Sequence, residues 1–337
     1  MNADSIFEPL AWLDAHHRKH CDYYRYYAET AFADNPTTKE ELPFVPVRAF
    51  KEFDLFSVPE DAIVKVMHSS GTTGAPSKIY LDNATAKAQT KSLALDFKKN
   101  IGKSRLPMLI VDNEKTVNSR SGYSARQAAI NGFSMFAKKK CLALDEKNQI
   151  RVEPVLAFLE EHEDEPILVF GFTFLIYDFL LNIRNKNIAS IDLGRATILH
   201  GGGWKKLADK SISNTALKAL ALQTVNCKKL VNYYGMIEQT GSIYFECEKG
   251  RLHAPETGDI LTRSFRDLSV VEAGNPGIIQ VFSTLQHSYP GHSILTEDIG
   301  LVLPGGECSC GNPRPSVEIL GRLERAEVRG CSDAISG

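Results

Sequence analysis

Charge of one sign is not in excess in this chain, and that balance already removes a class of functions. The 39 Lys and Arg side chains are matched by 41 Asp and Glu, for a formal net charge of −2, which excludes a broad basic surface for nucleic acid. Strong disorder is excluded as well, because 43 % hydrophobic and 24 % charged residues are the proportions of a chain that can close a core. No apolar run reaches the roughly 20 residues of a membrane span. The longest, residues 167–181, carries Asp178 and reads as a buried strand followed by a buried helix. The opening residues, MNADSIFEPLAWLDAHHRKHCDYY, have no basic leader, apolar h-region or small-residue cleavage site, so the expected location is cytoplasmic. Seven cysteines, an odd count in a chain of 337 residues, form no disulfide framework. No fixed-period repeat and no low-complexity tract occurs.

What is present reads as α/β. Over roughly the first forty residues Phe7, Leu10, Leu13, His17, Cys21 and Tyr24 recur at helical steps, and Tyr23, Tyr24, Tyr26 and Tyr27 are expected to pack against a core with their hydroxyls at its rim. Pro36, Pro43 and Pro46 then bias the chain towards an extended connection. The runs AIVKVM, LPMLIV, ILVFG, RATILH and LVNYYG alternate with helical stretches, which predicts helices covering a largely parallel sheet. After Gly241 strand follows strand with Gly and Pro turns. The expected organisation is a helical segment over 1–45, an α/β nucleotide-binding domain over 46–240, a β-rich subdomain over 241–320 and a short hinge-like tail over 321–337. The acidic run at 160–165 reads as the solvated end of a helix, and the lysines at 138–140 as a surface turn.

The sharpest chemical signal is HSSGTTGAPSK, residues 68–78, between two β runs. Its hydroxyls and unobstructed backbone N–H groups are the donors that wrap a polyphosphate. It is not a Walker loop, which needs Gly-Lys-Ser/Thr opening a helix; here Gly74 is followed by Ala75 and Pro76 and the chain returns to a strand. A plain Ser/Thr/Gly hairpin is the rival. Three further segments favour the nucleotide. HGGGW, at 200–204, follows a strand, and adjacent glycines let a flat ring approach the backbone. NYYGMIEQTGS places Glu238 three residues past Gly235, and LTEDIG puts Asp298 on a strand with Arg322 in the later GRLERAEVRG.

In that order these segments resemble the adenylate-forming superfamily: a Ser/Thr/Gly phosphate loop, a Gly-rich adenine segment, a Tyr-Gly…Glu turn, a ribose aspartate and a Gly-Arg hinge. PFVPVRAFKEFDLFS, SSGTTGAPSKIYLD, LHGGGWKK, NYYGMIEQTGS and GRLERAEVRGCS bring the chain nearest to the acyl-protein synthetases of the bacterial bioluminescence fatty-acid reductase complex. Phenylacetate-CoA ligases are cousins. The resemblance runs from about residue 43 to the end and implies a large adenylate-forming domain with a β-rich subdomain. It implies that Ser69, Ser70, Gly71, Thr72, Thr73 and Gly74 cradle phosphates, with Lys78 near the loop's usual lysine and Ser77 as one extra residue before it. Gly201, Gly202 and Gly203 would form one wall of the adenine slot and Tyr234, beside Gly235, the other. Glu238 would hold Mg²⁺, with Ile237 where the family has threonine; Asp298, preceded by Glu297 in place of glycine, would accept the ribose hydroxyls, and Arg322 would add positive charge.

The implied activity is ATP-dependent conversion of a carboxylic acid, expected to be a fatty acid, into an acyl adenylate, followed by transfer to a protein thiol. Superfamily members carry a mobile domain with a catalytic lysine after the hinge. Here residues 323–337 alone follow Arg322, so Lys205 or Lys206 is expected to supply that charge. Cys331, beside Arg329, sits where the acyl-protein synthetases carry the acyl group, poised to pass it to a reductase or carrier protein. His68 is a further candidate facing the substrate carboxylate. The set Cys247, His253, Cys308 and Cys310 has the composition of a structural zinc site, although C-x-C is tighter than the usual C-x₂-C; four unrelated positions are the alternative. Cys21, Cys141 and Cys227 read as small buried apolar residues. Two other functions stay open: an acyl-CoA or aryl-CoA ligase, and a non-catalytic nucleotide-binding partner of a reductase.

Overall fold

The structure, a computed structural model, describes residues 6–69, 76–102, 105–117, 125–203 and 212–323. Its centre is five parallel strands in the spatial order Ala137–Leu142, Leu106–Val111, Ile167–Phe172, Ala196–Gly201 and Lys229–Tyr234. Along the inner strands both faces are apolar. Leu109, Val111, Val169 and Ile198 pack with the helices Val152–Glu161, Thr173–Asn185 and Asn214–Val225. Met108, Ile110, Phe170 and Leu199 pack on the other side with Asn83–Asn100 and Ala125–Ser134. That two-sided burial is why these strands read as continuous hydrophobic runs. Asp82 and Ser213 start two of the helices by accepting from the backbone N–H of Thr85 (2.8 Å) and Ala216 (3.1 Å).

Beyond Tyr234 the same sheet continues antiparallel through Tyr244–Glu246, Leu252–His253, Ser316–Arg322, Ser293–Leu303, Pro276–Ser283 and Gly258–Arg263. Val45–Pro46 adds a short parallel pairing to Ile294 and Leu295. The segment that follows it is thereby held beside the strand that carries Asp298.

Four expectations need correction. AIVKVM does not join the parallel sheet: Ile63–His68 pairs antiparallel with Lys78–Asp82 in a separate two-stranded ribbon, because the short connection between them cannot make the crossover that parallel pairing needs. Lysines 138–140 are not a turn but lie on the edge strand Ala137–Leu142. Its outward lysines blunt the free edge, and Lys138 and Lys139 pair with Glu165 and Glu161 at the acidic helix end. The N-terminal helix breaks at Cys21, whose backbone is extended, into Phe7–His20 and Asp22–Ala31. Of Tyr23, Tyr24, Tyr26 and Tyr27, only Tyr24 is buried, donating to Asp14 at 2.6 Å; Tyr23 and Tyr26 are 60 % and 74 % exposed.

Candidate active site

The phosphate-loop candidate hangs from a closed base. The Ser69 N–H donates to the Ser77 carbonyl at 3.1 Å, and the Ser77 N–H donates to Ser69 Oγ at 2.8 Å. Ser70, Gly71, Thr72, Thr73 and Gly74 lie outside the described residues. His68 ends the first ribbon strand opposite Lys78. The Lys78 ammonium donates to Asp54 at 2.7 Å on the exposed face, and the Tyr80 hydroxyl shares that carboxylate. Ser77, unplaced by the resemblance, is fully buried. Its hydroxyl lies close enough to Glu238 to favour the charged carboxylate, although Ser77 Oγ has no hydrogen-bond partner among the described residues.

Glu238 sits in the short 3-10 turn Ile237–Gln239 just past the end of strand Lys229–Tyr234. The Tyr289 hydroxyl donates to its carbonyl at 3.0 Å, which holds the turn against the core. The side chain is only 6 % exposed and forms no ion pair among the described residues. Burial pushes its pKa up, against the pull of the Ser77 hydroxyl and of the Lys51 and Arg322 charges. A nearly buried carboxylate short of counter-charge is a fitting partner for a hard dication.

Asp298 lies on strand Ser293–Leu303, directly across from Arg322. The Tyr234 hydroxyl donates to Asp298 Oδ2 at 2.8 Å, and Arg322 Nε stands 3.8 Å from Oδ1. Arg322 also reaches Glu297 at 3.0 Å, and Glu297 pairs with Arg48 from the segment zipped onto the strand. Burial raises the Asp298 pKa, while Tyr234 and Arg322 draw it back. The Thr296 hydroxyl accepts from the Asp298 N–H at 3.1 Å and donates to the Ile279 carbonyl at 2.8 Å, so the backbone here is doubly tied. Arg48 and Lys51 were not picked out from the sequence. Their signal was only that two cations follow Val45 and Pro46 at a one-turn spacing.

Gly201, Gly202 and Gly203 close the neighbouring strand. A Cβ at Gly201 would fall 2.6 Å from the Tyr233 carbonyl, and one at Gly202, where φ is +78°, would fall 2.4 Å from the Phe172 ring. Those two glycines are therefore required by the protein's own packing. A Cβ at Gly203, where φ is +65°, would meet nothing within 4 Å among the described residues. His200, just before them, is buried; the Thr173 hydroxyl donates to the Gly201 carbonyl at 3.1 Å and accepts from His200 Nδ1 at 3.0 Å, and burial pushes the His200 pKa down to about 3. It is a core histidine. The glycines and Tyr234 end adjacent parallel strands at their carboxyl edge, the edge at which open α/β sheets bind ligands. Lys205, Lys206 and Cys331 lie outside the described residues.

Cys247, His253, Cys308 and Cys310 are also brought together, with ligand atoms all within 4.8 Å of one another. They stand at the start of strand Ser316–Arg322, while Asp298 and Tyr234 stand at its end.

The family described as acyl-protein synthetase, LuxE, matches residues 7–337. A long-chain-fatty-acid–luciferin-component ligase of Aliivibrio fischeri is 24 % identical over 326 residues, covering 94 % of this chain and 84 % of its own length. The Vibrio harveyi protein of the same name is 20 % identical over 328 residues, covering 95 % and 84 %. Among solved structures, 2-hydroxyisobutyryl-CoA ligase with 2-HIB-AMP and CoA superposes with a TM-score of 0.73 at 16 % identity, over 95 % of this chain and 74 % of that one. ATP-bound MatB from Rhodopseudomonas palustris superposes with a TM-score of 0.52 at 13 % identity, over 79 % and 49 %. The fold is that of the adenylate-forming ligases, as the order of the motifs implied, and the chain belongs to the LuxE acyl-protein synthetase family.

Proposed function

We propose that this protein activates a fatty acid with ATP as an acyl adenylate and passes the acyl group to a protein thiol. The observation that carries the reading is the Tyr234–Asp298–Arg322 constellation, beside a buried Glu238 that faces the base of the phosphate loop. A free carboxylate resists attack because it would have to expel oxide from an anion. Joining it to AMP supplies a leaving group. The substrate carboxylate oxygen attacks the α-phosphorus, the bond to the β-phosphate oxygen breaks, and pyrophosphate leaves. A thiolate then attacks the acyl carbon, and AMP departs.

In this reading Asp298 accepts the ribose hydroxyls while Tyr234 and Thr296 hold the carboxylate and its backbone in place. Tyr234 and Gly203 flank the adenine. Glu238 would hold Mg²⁺, which supplies charge compensation between two approaching anions. Arg322 and the donors of the 69–74 loop add positive potential where charge develops on phosphorus. Lys205 or Lys206 is proposed to complete that potential, His68 to face the substrate carboxylate and Cys331 to be the acyl-bearing thiol. Lys78 would reach the phosphates only by leaving Asp54. The cytoplasm is the proposed location of the reaction. Among the described residues no helix is long and apolar enough to cross a membrane.

Carboxylate-dependent exchange of labelled pyrophosphate into ATP, screened across carboxylic acids of increasing chain length, tests activation and substrate class together. Exchange that rises with long-chain acids supports the reading, and none with any acid refutes it. Acyl transfer to CoA alone, with no protein-bound label, would assign the CoA-ligase activity instead.

A further inference from the structure

Two tight turns far apart in sequence present four soft donors to one point. In the first, the Cys247 N–H donates to the Arg251 carbonyl at 2.8 Å and the Gly250 N–H returns to the Cys247 carbonyl at 2.9 Å, with Gly250 at φ +79°. In the second, the Gly311 N–H donates to the Cys308 carbonyl at 3.0 Å, with glycines 306 and 311 at φ +84° and +77°. Cys247 Sγ and Cys308 Sγ are 3.9 Å apart, and Cys310 Sγ is 3.2 Å from His253 Nε2. His253 Nδ1 lies 3.0 Å from the Arg314 carbonyl. A carbonyl only accepts, so Nδ1 carries the proton and Nε2 presents its lone pair towards the thiols.

We propose that Cys247, His253, Cys308 and Cys310 bind one structural Zn²⁺. Three thiolates and a neutral imidazole are a borderline-soft tetrahedral set, and four protein ligands leave no open position for substrate. Thiolates about 3.8 Å apart are what Zn–S bonds of about 2.3 Å give at a tetrahedral angle, and the 3.9 Å separation of Cys247 and Cys308 is close to that. Binding releases three thiol protons, so the filled site carries the dication's charge less three, a single negative charge. Arg251, which donates to Ser316 Oγ at 3.0 Å and whose charge acts on His253, offsets part of that charge. The C-x-C spacing is accommodated because Gly311 turns the chain directly after Cys310.

The metal's place in the fold gives it a role. His253 pairs with Ser316, the first residue of the strand that ends at Arg322. Six residues of extended chain put the two ends about 20 Å apart. The zinc therefore staples the turn at residues 304–315 to the turn at 247–251 and fixes the start of the strand that delivers Arg322 to Asp298. It takes no part in the chemistry.

Metal analysis of the full chain produced with zinc in the medium is the direct test. One zinc per chain is expected, and replacement by Co²⁺ should give a thiolate-to-metal charge-transfer band with the visible absorption of a tetrahedral site. Cys310→Ser should weaken zinc retention by at least about tenfold, whereas Cys141→Ser should leave it unchanged. Should Cys310→Ser fail to fold, the cobalt spectrum of the unaltered chain decides. Folded, exchange-competent protein with neither stoichiometric zinc nor a cobalt–thiolate spectrum overturns the proposal.

Discussion

Replacing Asp298 by Asn isolates the ribose contact from everything around it. Asn keeps the size of the side chain and leaves Thr296, on the preceding strand residues, to hold the backbone. What it loses is the charge, and with it the two charge-assisted bonds to ribose proposed for a side chain only 23 % exposed. Hydrogen bonds to charged groups contribute about 1.5–3 kcal/mol each. Two of them, discounted for the water that still reaches the site, correspond to a loss of roughly 10²–10³ in kcat/KM for ATP. Pyrophosphate exchange measured against ATP concentration at saturating fatty acid reads this directly, with Tm as the control for folding. Tyr234→Phe refines the test. It removes the 2.8 Å bond that draws the Asp298 pKa down, so that pKa rises further. The ionised form is the acceptor, so activity present above the pKa is lost as pH falls through it, and the acid limb of the ATP profile should move to higher pH in the Phe variant. An Asp298→Asn enzyme with unchanged Tm and an ATP KM within twofold of the parent would refute the ribose assignment.

Other perturbations give separate tests. Glu238→Gln should lower Mg²⁺-dependent exchange by about 10²–10³-fold while Tm holds or rises, because a buried carboxylate whose pKa is raised by burial is replaced by a neutral group; undiminished exchange would take Glu238 out of the site. Gly202→Ala should destabilise by about 1–3 kcal/mol in denaturant melts, since φ is +78° and the new methyl would strike Phe172. Gly203→Ala, whose methyl would meet nothing within 4 Å among the described residues, should cost only the strain of φ +65°, about 1–2 kcal/mol, yet weaken ATP binding in calorimetry; full affinity would move the adenine elsewhere. His17, His200 and His292 are buried with pKa values pushed down, to about 3 for His200 and about 4 for His292. The unfolded chain binds their protons first, so stability is full above the unfolded value near 6.5 and falls below it. Each contributes a slope of about 1.4 kcal/mol per pH unit until its folded pKa is reached. Urea midpoints at pH 7 and pH 5 check this, and His292→Gln should flatten the slope; a parent midpoint independent of pH would contradict it.

Much of the proposed nucleotide machinery was legible because each part is a local segment with its own chemistry. A run of hydroxyls and glycines between β runs, a Tyr-Gly at a strand end and a lone acid on a strand can be read from a few neighbouring residues, and so can a buried strand apolar on every position. The parallel sheet and its covering helices followed from such runs. Edge and amphipathic elements were less visible: three consecutive lysines at 138–140 look like a turn until a neighbouring strand and the acids at 161 and 165 are in place. The antiparallel ribbon carrying the phosphate loop was likewise hidden, since β propensity does not state a partner.

Local order along the chain thus determined which residues could serve a nucleotide. Tertiary contact alone decided how they are charged and held. Asp298 and Tyr234 are 64 positions apart, yet one hydrogen bond joins them. Burial that raises the pKa of Glu238 is a property of the folded core, and a hydroxyl that acts on it belongs to Ser77, 161 positions away. Two of the three adenine-segment glycines answer to Tyr233 and Phe172 rather than to a ligand. Desolvation, electrostatics and steric exclusion depend on separation in space, which folding sets through the sheet's register and no stretch of sequence carries by itself.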